Sequence, residues 1–285
     1  IQTYTINPVL SYRLTPKVTV AAGVDFLWLD ANLENKVNSN LIAATLGVPA
    51  PDLSDGDQAF SGDGTGYGYN LGLLVKLTDR LSLGASYRSE IAVDIDGDLK
   101  LSVPAEVSPF LQNTGGSADI TLPAQLTAGM AYAFSDRLTV EAGVRWEGWS
   151  AFDELKIKLD QPVLFQTSQI LEKDWDDTWT YNVGGKYRLN DRWSLSAGYL
   201  YQQNAVPDET FDPSTPDADC HLFCIGADVQ WKRASLALSY AYQLAEDRDK
   251  ENAVGLAAAD DPTPNANGEY RADFHLIAAS VTIRF

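Results

Sequence analysis

Apolar and polar residues alternate along most of this chain, which is the period of β-strands with two unlike faces. The pattern predicts eleven strands. They cover approximately residues 4–14, 18–33, 67–77, 81–99, 120–134, 138–159, 179–189, 193–203, 222–231, 234–244 and 270–285. Four of the strands open with near-copies of one motif, beginning at Thr15, Thr78, Ser135 and Asn190. The fold is therefore expected to repeat a two-strand unit.

The predicted connections alternate in length. Short turns follow the odd-numbered strands, and long loops follow the even-numbered ones. The long loops are placed at about 34–66, 100–118, 160–177, 204–221 and 245–269. Outer-membrane barrels have short turns on one side and long loops on the other, whereas soluble β-sandwiches do not sort their loops in this way. The sequence thus predicts an all-β, antiparallel transmembrane β-barrel that forms a single domain over residues 1–285.

Hydropathy is compatible with this interpretation. The hydrophobic content of 45% and the mean hydropathy of −0.18 resemble those of a soluble protein. In a barrel, however, only alternate residues face lipid, and on the eighth strand Trp193, Leu195 and Tyr199 share one side. Tryptophan and tyrosine also concentrate near strand ends, as expected at a membrane interface.

Charge and motifs exclude several functions. A net charge of −18 argues against nucleic acid as a partner. No phosphate-binding motif or cofactor signature is present, and neither His221 nor His275 has a nearby serine and acid in a nucleophile pattern, so no enzyme is predicted. Clusters of loop acids indicate solvated loops, with a divalent-ion or lipopolysaccharide-bridging site as the alternative. Cys220 and Cys224 favour a short-loop disulfide, although strand geometry could keep them apart.

The last strand carries one apolar row that ends at an aromatic residue. The row consists of Ile277, Ala279, Val281, Ile283 and Phe285. It looks like the C-terminal signal by which the barrel assembly machinery recognises its substrates. The predicted location is therefore the outer membrane of a Gram-negative bacterium, with membrane lipid and lipopolysaccharide as surroundings. Because single-chain barrels have even strand counts, an odd number of further strands is expected before Ile1.

Several segments, taken in order, resemble one family. They are Asn7–Leu14, Gly66–Gly72, Leu81–Ser89, Leu122-Pro123, Trp146–Ser150 and Asp174–Tyr181. Together they are similar to the FadL/TodX family of outer-membrane long-chain fatty acid and hydrocarbon transporters. The resemblance implies a fourteen-stranded barrel with an N-terminal hatch and a kinked third strand that opens laterally. If these eleven strands match the last eleven of the family, the hatch and the first three strands are absent here.

The resemblance also implies a function, namely passive uptake of long-chain fatty acids or similar hydrophobic molecules by a monomeric barrel. Two outer loops would form a hydrophobic capture groove from Leu41, Ile42, Leu46, Val48, Val107, Phe110 and Leu111. In the lumen, a fatty acid requires an apolar sleeve and a cation for its carboxylate. The candidates are Leu27, Leu74, Leu200, Phe274 and Leu276 for the sleeve, and Arg88, Arg145, Lys186 and Arg188 for the cation.

Alternatives remain open at this level. The outer loops could pack a small core of their own, and the lumenal basic residues could pair with neighbouring acids. A general aqueous porin is the closest rival function, and an incomplete barrel fragment without transport activity is another. A soluble lipocalin-like barrel is disfavoured because eleven strands exceed the usual eight.

Overall fold

A computed structural model describes residues 1–49, 52–254 and 266–283. Phe285, the end of the predicted assembly signal, lies outside the described residues. The described strands and the one α-helix have the following bounds: β1 Gln2–Ile6, β2 Val9–Thr15, β3 Val18–Val37, α1 Ser39–Leu46, β4 Gly56–Lys76, β5 Leu81–Arg88, β6 Ile91–Ser102, β7 Thr114–Leu122, β8 Gln125–Ala133, β9 Leu138–Glu147, β10 Glu154–Val163, β11 Gln166–Glu172, β12 Thr178–Arg188, β13 Trp193–Gln202, β14 Cys220–Gln230, β15 Ala234–Ala245, β16 Arg248–Lys250, β17 Gly268–Tyr270 and β18 Asp273–Ile283. The described part of the chain is thus all-β apart from one short helix and two single helical turns.

Sixteen of these strands form one antiparallel sheet, while β16 and β17 pair separately. The prediction of two-faced antiparallel strands is confirmed, but there are more strands than the eleven expected. In the part of the chain that the structure describes, β2 and β18 lie at opposite ends of the sheet and do not pair with each other. Closure into a barrel therefore stays a prediction. No helix among the described residues is long and apolar enough to cross a bilayer.

The higher strand count arises because several predicted strands are interrupted. Pro8 separates β1 from β2, and both strands pair with β3. Pro123 and Ala124 separate β7 from β8 in the same way. Proline has no backbone N–H for a ladder bond and therefore ends a strand. Ser89 separates β5 from β6; its hydroxyl accepts the Tyr69 N–H at 3.0 Å and donates to the Glu90 carbonyl at 3.0 Å.

The sheet forks along β4. Residues 70–76 of this strand pair with β5, and residues 57–65 pair with β6. The first arm, which we call the main branch, continues through β8, β9, β12, β13, β14 and β15 to β18. The second, the distal branch, continues through β7 and β10 to β11. The predicted long loop at 34–66 is therefore partly strand and partly helix α1, and the one at 160–177 is largely strand, because strand pairing extends beyond the apolar alternation.

The distal branch curls around its own core. Leu29, Phe60 and Leu99, from three neighbouring strands, are at most 1% exposed and pack in one cluster. Gln58 on β4 and Gln169 on β11 exchange side-chain hydrogen bonds of 2.9 and 3.2 Å, which joins the curl across its interior. Burial of these apolar side chains, at about 25 cal/mol per Å², is what stabilises the branch.

The outward face of the sheet changes character along β3. Val24, Phe26 and Trp28 are exposed and apolar, whereas Asp30 occupies the next outward position. Asp30 pairs in register with Asp63 on β4. An apolar band that ends at aromatic residues is typical of strands that leave a hydrocarbon layer.

A strained turn joins β10 to β11. Val163 pairs with Gln166, so the loop has two residues, and Leu164 and Phe165 have φ of 50° and 67°. Two positive φ values characterise a type I′ turn, which favours Asn-Gly because a Cβ is disfavoured there. Leu164 packs against the buried clusters, but Phe165 is 85% exposed.

We expect Phe165→Gly to raise the free energy of unfolding in detergent micelles by about 1 kcal/mol, because the strain is relieved and little packing is lost. Phe165→Ala keeps a Cβ in the left-handed region and serves as the control, for which no gain is expected. Urea-unfolding midpoints measure both. Equal midpoints for the two variants would show that the turn is unstrained.

Candidate functional site

The predicted capture residues meet at one end of the molecule. Helix α1 begins after Asn38, whose side chain accepts the Leu41 N–H at 3.1 Å, and ends at Gly47, whose φ is 68°. These caps satisfy the helix ends and fix the position of its apolar side. That side packs on the 103–111 segment, so that Ile42 and Val107 are buried together, at 7% and 0% exposure.

The other predicted groove residues divide into two groups. Leu46, Val48 and Leu111 are partly buried against this outer apolar cluster. Leu41 and Phe110 remain 43% and 59% exposed. The two loops therefore pack a small core, as the alternative interpretation anticipated, and offer two apolar side chains to solvent.

The inner face of the main branch is the face that carries Asp25 and its cross-strand neighbours. Leu200, Leu222 and Phe274 occupy this face near one end of the sheet, and Leu200 pairs directly with Leu222. Leu276 lies in the adjacent row, opposite Ala241. Leu74 is on the same face but five strands away. Leu27, although it has the predicted phase, is only 6% exposed because it belongs to the distal core.

Three of the four candidate cations have acidic partners. Arg88 Nε lies 3.8 Å from Asp25, Arg145 lies 3.2 Å from Glu147, and Lys186 lies 2.7 Å from Asp228. Among the described residues, Arg188 has no ion pair. The structure thus places all four on the inner face and leaves Arg188 as the uncompensated charge.

Asp25 is a buried polar centre that the sequence analysis missed. Its side chain accepts hydrogen bonds from Asn7 Nδ2 at 2.9 Å and Asn70 Nδ2 at 3.0 Å. Asn7 also donates to the Val24 carbonyl at 3.0 Å, which ties the interruption before Pro8 to β3. The signal was an aspartate with the inward phase of Leu27 and Leu29 in the otherwise apolar stretch 20–29.

The prediction of a disulfide is wrong. Cys220 and Cys224 are both free and lie on one strand, β14, on the same face. Four residues of extended strand span about 13 Å, whereas a disulfide requires Cα atoms roughly 4.4–6.8 Å apart. His221, which was expected in a loop, lies on the same strand, and its Nδ1 is 2.7 Å from the Tyr199 hydroxyl.

The long segment after β13 is held down by Arg248. The guanidinium donates to the carbonyl oxygens of Val206 and Asp217 at 2.9 and 3.0 Å, pairs with Asp208, and stacks 4.4 Å from the Phe211 ring centroid. Five N–H donors in a planar fork suit such multiple contacts. The segment 203–219, most of which was predicted as an outer loop, is therefore held in a fixed position, and we call it the cap.

Lys173 lies beneath the cap and is 6% exposed, and the Thr210 hydroxyl donates to its carbonyl oxygen at 2.6 Å. Burial lowers the pKa of the Lys173 amine from its usual value, and Asp212 partly opposes the effect. The folded state therefore binds this proton less readily than the unfolded chain, and stability rises with pH until about 10.5.

We expect Lys173→Met to raise the urea midpoint at pH 7 by an amount equivalent to about 1 kcal/mol, since the buried charge is removed. The gain should shrink as the pH approaches the ordinary lysine value. Lys17→Met, on an exposed turn, is the control. A gain that does not change between pH 7 and 10.5 would contradict the desolvation argument.

The chain is similar in sequence to proteins of the bacterial outer membrane. A relative described as a long-chain fatty acid transport protein, from Escherichia coli O6:H1 (strain CFT073), is 28% identical over 244 residues, which is 77% of this chain and 53% of the relative. Outer membrane protein P1 of Haemophilus influenzae (strain Rd) is 23% identical over 81% of this chain and 53% of its own length. The chain thus spans about half the length of the curated relatives it matches.

Solved structures show the fold. The crystal structure of a Pseudomonas aeruginosa FadL homologue superposes with a TM-score of 0.82 at 23% identity, covering 99% of this chain and 68% of that one. The Pseudomonas putida toluene transporter TodX superposes with a TM-score of 0.67 at 23% identity, covering 99% and 69%. The sequence model of the outer membrane protein transport family (OMPP1/FadL/TodX) matches residues 1–285. This chain therefore belongs to the OMPP1/FadL/TodX family, and its place is the outer membrane of a Gram-negative bacterium.

Proposed function

We propose that this protein lets long-chain fatty acids or similar hydrophobic molecules cross the outer membrane passively, along the inner face of its sheet. The observation that carries the proposal is the apolar patch formed by Leu200, Leu222, Phe274 and Leu276 on that face. A pore for hydrated solutes gains nothing from aliphatic side chains in its wall. An alkyl chain gains about 0.8 kcal/mol for each CH₂ that such a wall removes from water.

The route begins at the outer apolar cluster. The exposed side chains of Leu41 and Phe110 offer a first contact for an apolar molecule, and the buried members hold them in place. Arg188 is our candidate for the carboxylate of a fatty acid, since the acidic partners of the other three basic residues already compensate their charges. The names of the relatives supply both ligand classes, fatty acid and toluene.

Purified protein in lipid vesicles tests the proposal. We expect it to accelerate entry of labelled oleate without making the vesicles swell in arabinose. Leu200→Asn should reduce oleate entry about 5- to 10-fold, because a polar amide interrupts the patch and disfavours the alkyl chain. Ser235→Asn, on the inner face of β15 but away from the patch and from Arg188, is the matched control and should leave the rate unchanged.

Other outcomes would select other functions. Swelling in arabinose with no preference for oleate would favour the aqueous porin, and no flux of either solute would favour an inactive fragment. Contacts with lipopolysaccharide and with the assembly machinery, and the monomeric state, stay predictions.

A further inference from the structure

Two buried polar atoms on the inner face, on residues that are cross-strand neighbours, have no hydrogen-bond partner in the described part of the chain. They are Oγ1 of Thr180 and Nε of Arg145. Thr180 is 5% exposed and lies directly opposite Arg145 in the pairing of β9 with β12. A buried polar group without a partner costs roughly 1–3 kcal/mol. Two such groups on neighbouring residues therefore indicate a binding site, where a bound molecule supplies the missing hydrogen-bond partner.

The adjacent row of the same face has no side chains over three strands. Gly84, Gly129 and Gly143 are in register on β5, β8 and β9, and Asn182 follows on β12. A depression of about 530 Å³ lies along these glycines. Its lining includes Thr127, which pairs with Arg145, and Asn182, which is two residues beyond Thr180. The Asn182 side chain covers Gly143, since its Oδ1 lies 2.6 Å from the position that a Cβ of Gly143 would take. A hydrocarbon can lie flat against the backbone at Gly84 and Gly129, with one end directed toward the two unpartnered atoms.

The charges around these atoms are already balanced. Arg145 pairs with Glu147 at 3.2 Å, and Gln125 donates to the same carboxylate at 3.0 Å. Glu147 is 7% exposed, so water screens it weakly. A carboxylate that approached Arg145 Nε would meet the negative charge of Glu147 at close range, whereas an uncharged oxygen would not.

We propose that Thr180 Oγ1 and Arg145 Nε bind an uncharged oxygen, a hydroxyl or carbonyl, of a hydrophobic molecule whose hydrocarbon lies on the glycine row. This inference rests on the proposed function and narrows its ligand to neutral oxygenated compounds at this position. The side chain of Arg145 is 39% exposed, so it can move aside as the oxygen enters. Arg145 N–H donates to that oxygen, and the Thr180 hydroxyl donates to it or accepts from it.

Calorimetry on the detergent-solubilised protein tests the inference, with 1-decanol and decanoate as probes. Thr180→Val has nearly the same shape and removes only the hydroxyl. We expect it to weaken 1-decanol binding about 3- to 10-fold, as the loss of one hydrogen bond requires, and to leave decanoate unaffected. Thr139→Val, an exposed inner-face position on β9, is the control and should bind both probes as the parent does.

Stability provides an independent readout. Because Thr180 Oγ1 has no partner among the residues that the structure describes, Thr180→Val should not lower the unfolding midpoint. A lower midpoint would show that the hydroxyl has a structural role and would overturn the proposal. Unchanged 1-decanol affinity, or an equal loss for decanoate, would also overturn it.

The glycine row has a test of its own. A Cβ at Gly84 would meet no non-neighbouring atom closer than 3.9 Å, so Gly84→Leu fills the depression without a backbone clash. We expect both probes to bind about tenfold more weakly, since the leucine side chain occupies the space in which either hydrocarbon would lie. Unchanged affinity for both probes would show that the glycine row is not part of the binding site.

The subsite and the transport proposal fail separately. If Thr180→Val weakens 1-decanol binding but the parent protein moves no oleate into vesicles, the subsite stands and the transport proposal fails. If oleate enters the vesicles and Thr180→Val leaves 1-decanol binding unchanged, transport stands and the subsite fails.

Discussion

Replacing Gly66 by valine is expected to abolish docking of the distal branch, with a loss of more than about 3 kcal/mol of stability. A Cβ at Gly66 would lie 2.5 Å from Ile91 Cγ2 and 2.7 Å from the Ala92 carbonyl oxygen. One of these contacts is backbone, so no side-chain rotation relieves the clash, and overpacking of this kind exceeds the usual 1–3 kcal/mol. The start of β6 lies this close to β4 at the fork because Gly66 has no side chain.

Gly84→Val is the matched control, because the nearest atom to its Cβ is 3.9 Å away. Limited proteolysis within residues 91–122 and urea-unfolding midpoints in detergent measure both variants. Rapid cleavage is expected for Gly66→Val alone. If Gly66→Val resisted protease as the parent does, the close approach of β6 to β4 would be refuted.

Replacing Asp25 by alanine is expected to cost about 3–5 kcal/mol, the usual effect of removing one partner from a buried charged network. Two amide donors, on Asn7 and Asn70, would lose their acceptor, and Arg88 would lose its nearby negative charge. Because Asn7 immediately precedes Pro8, β1 should also loosen from β3. The unfolding midpoint and the rate of protease cleavage within residues 1–15 report the two effects.

Asp228→Ala provides the comparison, since Asp228 also pairs with a basic residue on the inner face. Its partner Lys186 is 55% exposed, and exposed pairs contribute only about 0–1 kcal/mol. A small loss is therefore expected. Equal losses for the two variants would mean that burial does not determine the contribution of Asp25.

Much of the strand architecture could be predicted, because alternation is a local property. The strands at Thr178–Arg188, Trp193–Gln202 and Ala234–Ala245 lie where the pattern places them. The predicted strand at 138–159 is instead divided into β9 and β10, which belong to different branches. The resemblance to the FadL/TodX family, which depended on ordered motifs, is confirmed by the family match. The fork was not predicted, because a strand that exchanges one partner for another has the same side-chain period throughout.

The candidate site was predicted in part. The phase of Arg88, Arg145 and Lys186 was correct, since parity alone decides which face a strand residue occupies. Which acid pairs with each of them depends on register between strands distant in sequence. The disulfide prediction failed for a related reason, since sequence proximity of Cys220 and Cys224 says nothing about the extended backbone that separates them.

The sequence by itself thus determined the two-faced strands, the exposed apolar band and the family, since each is encoded in periodicity or in short ordered motifs. Only the tertiary structure decided that Leu27 is buried in a packed core, that Asp25 ties down the interruption at Pro8, and that Thr180 lies unpartnered beside Arg145. These features depend on contacts across strands. Their energies arise from the burial of side chains, and side chains become buried only when the sheet has formed.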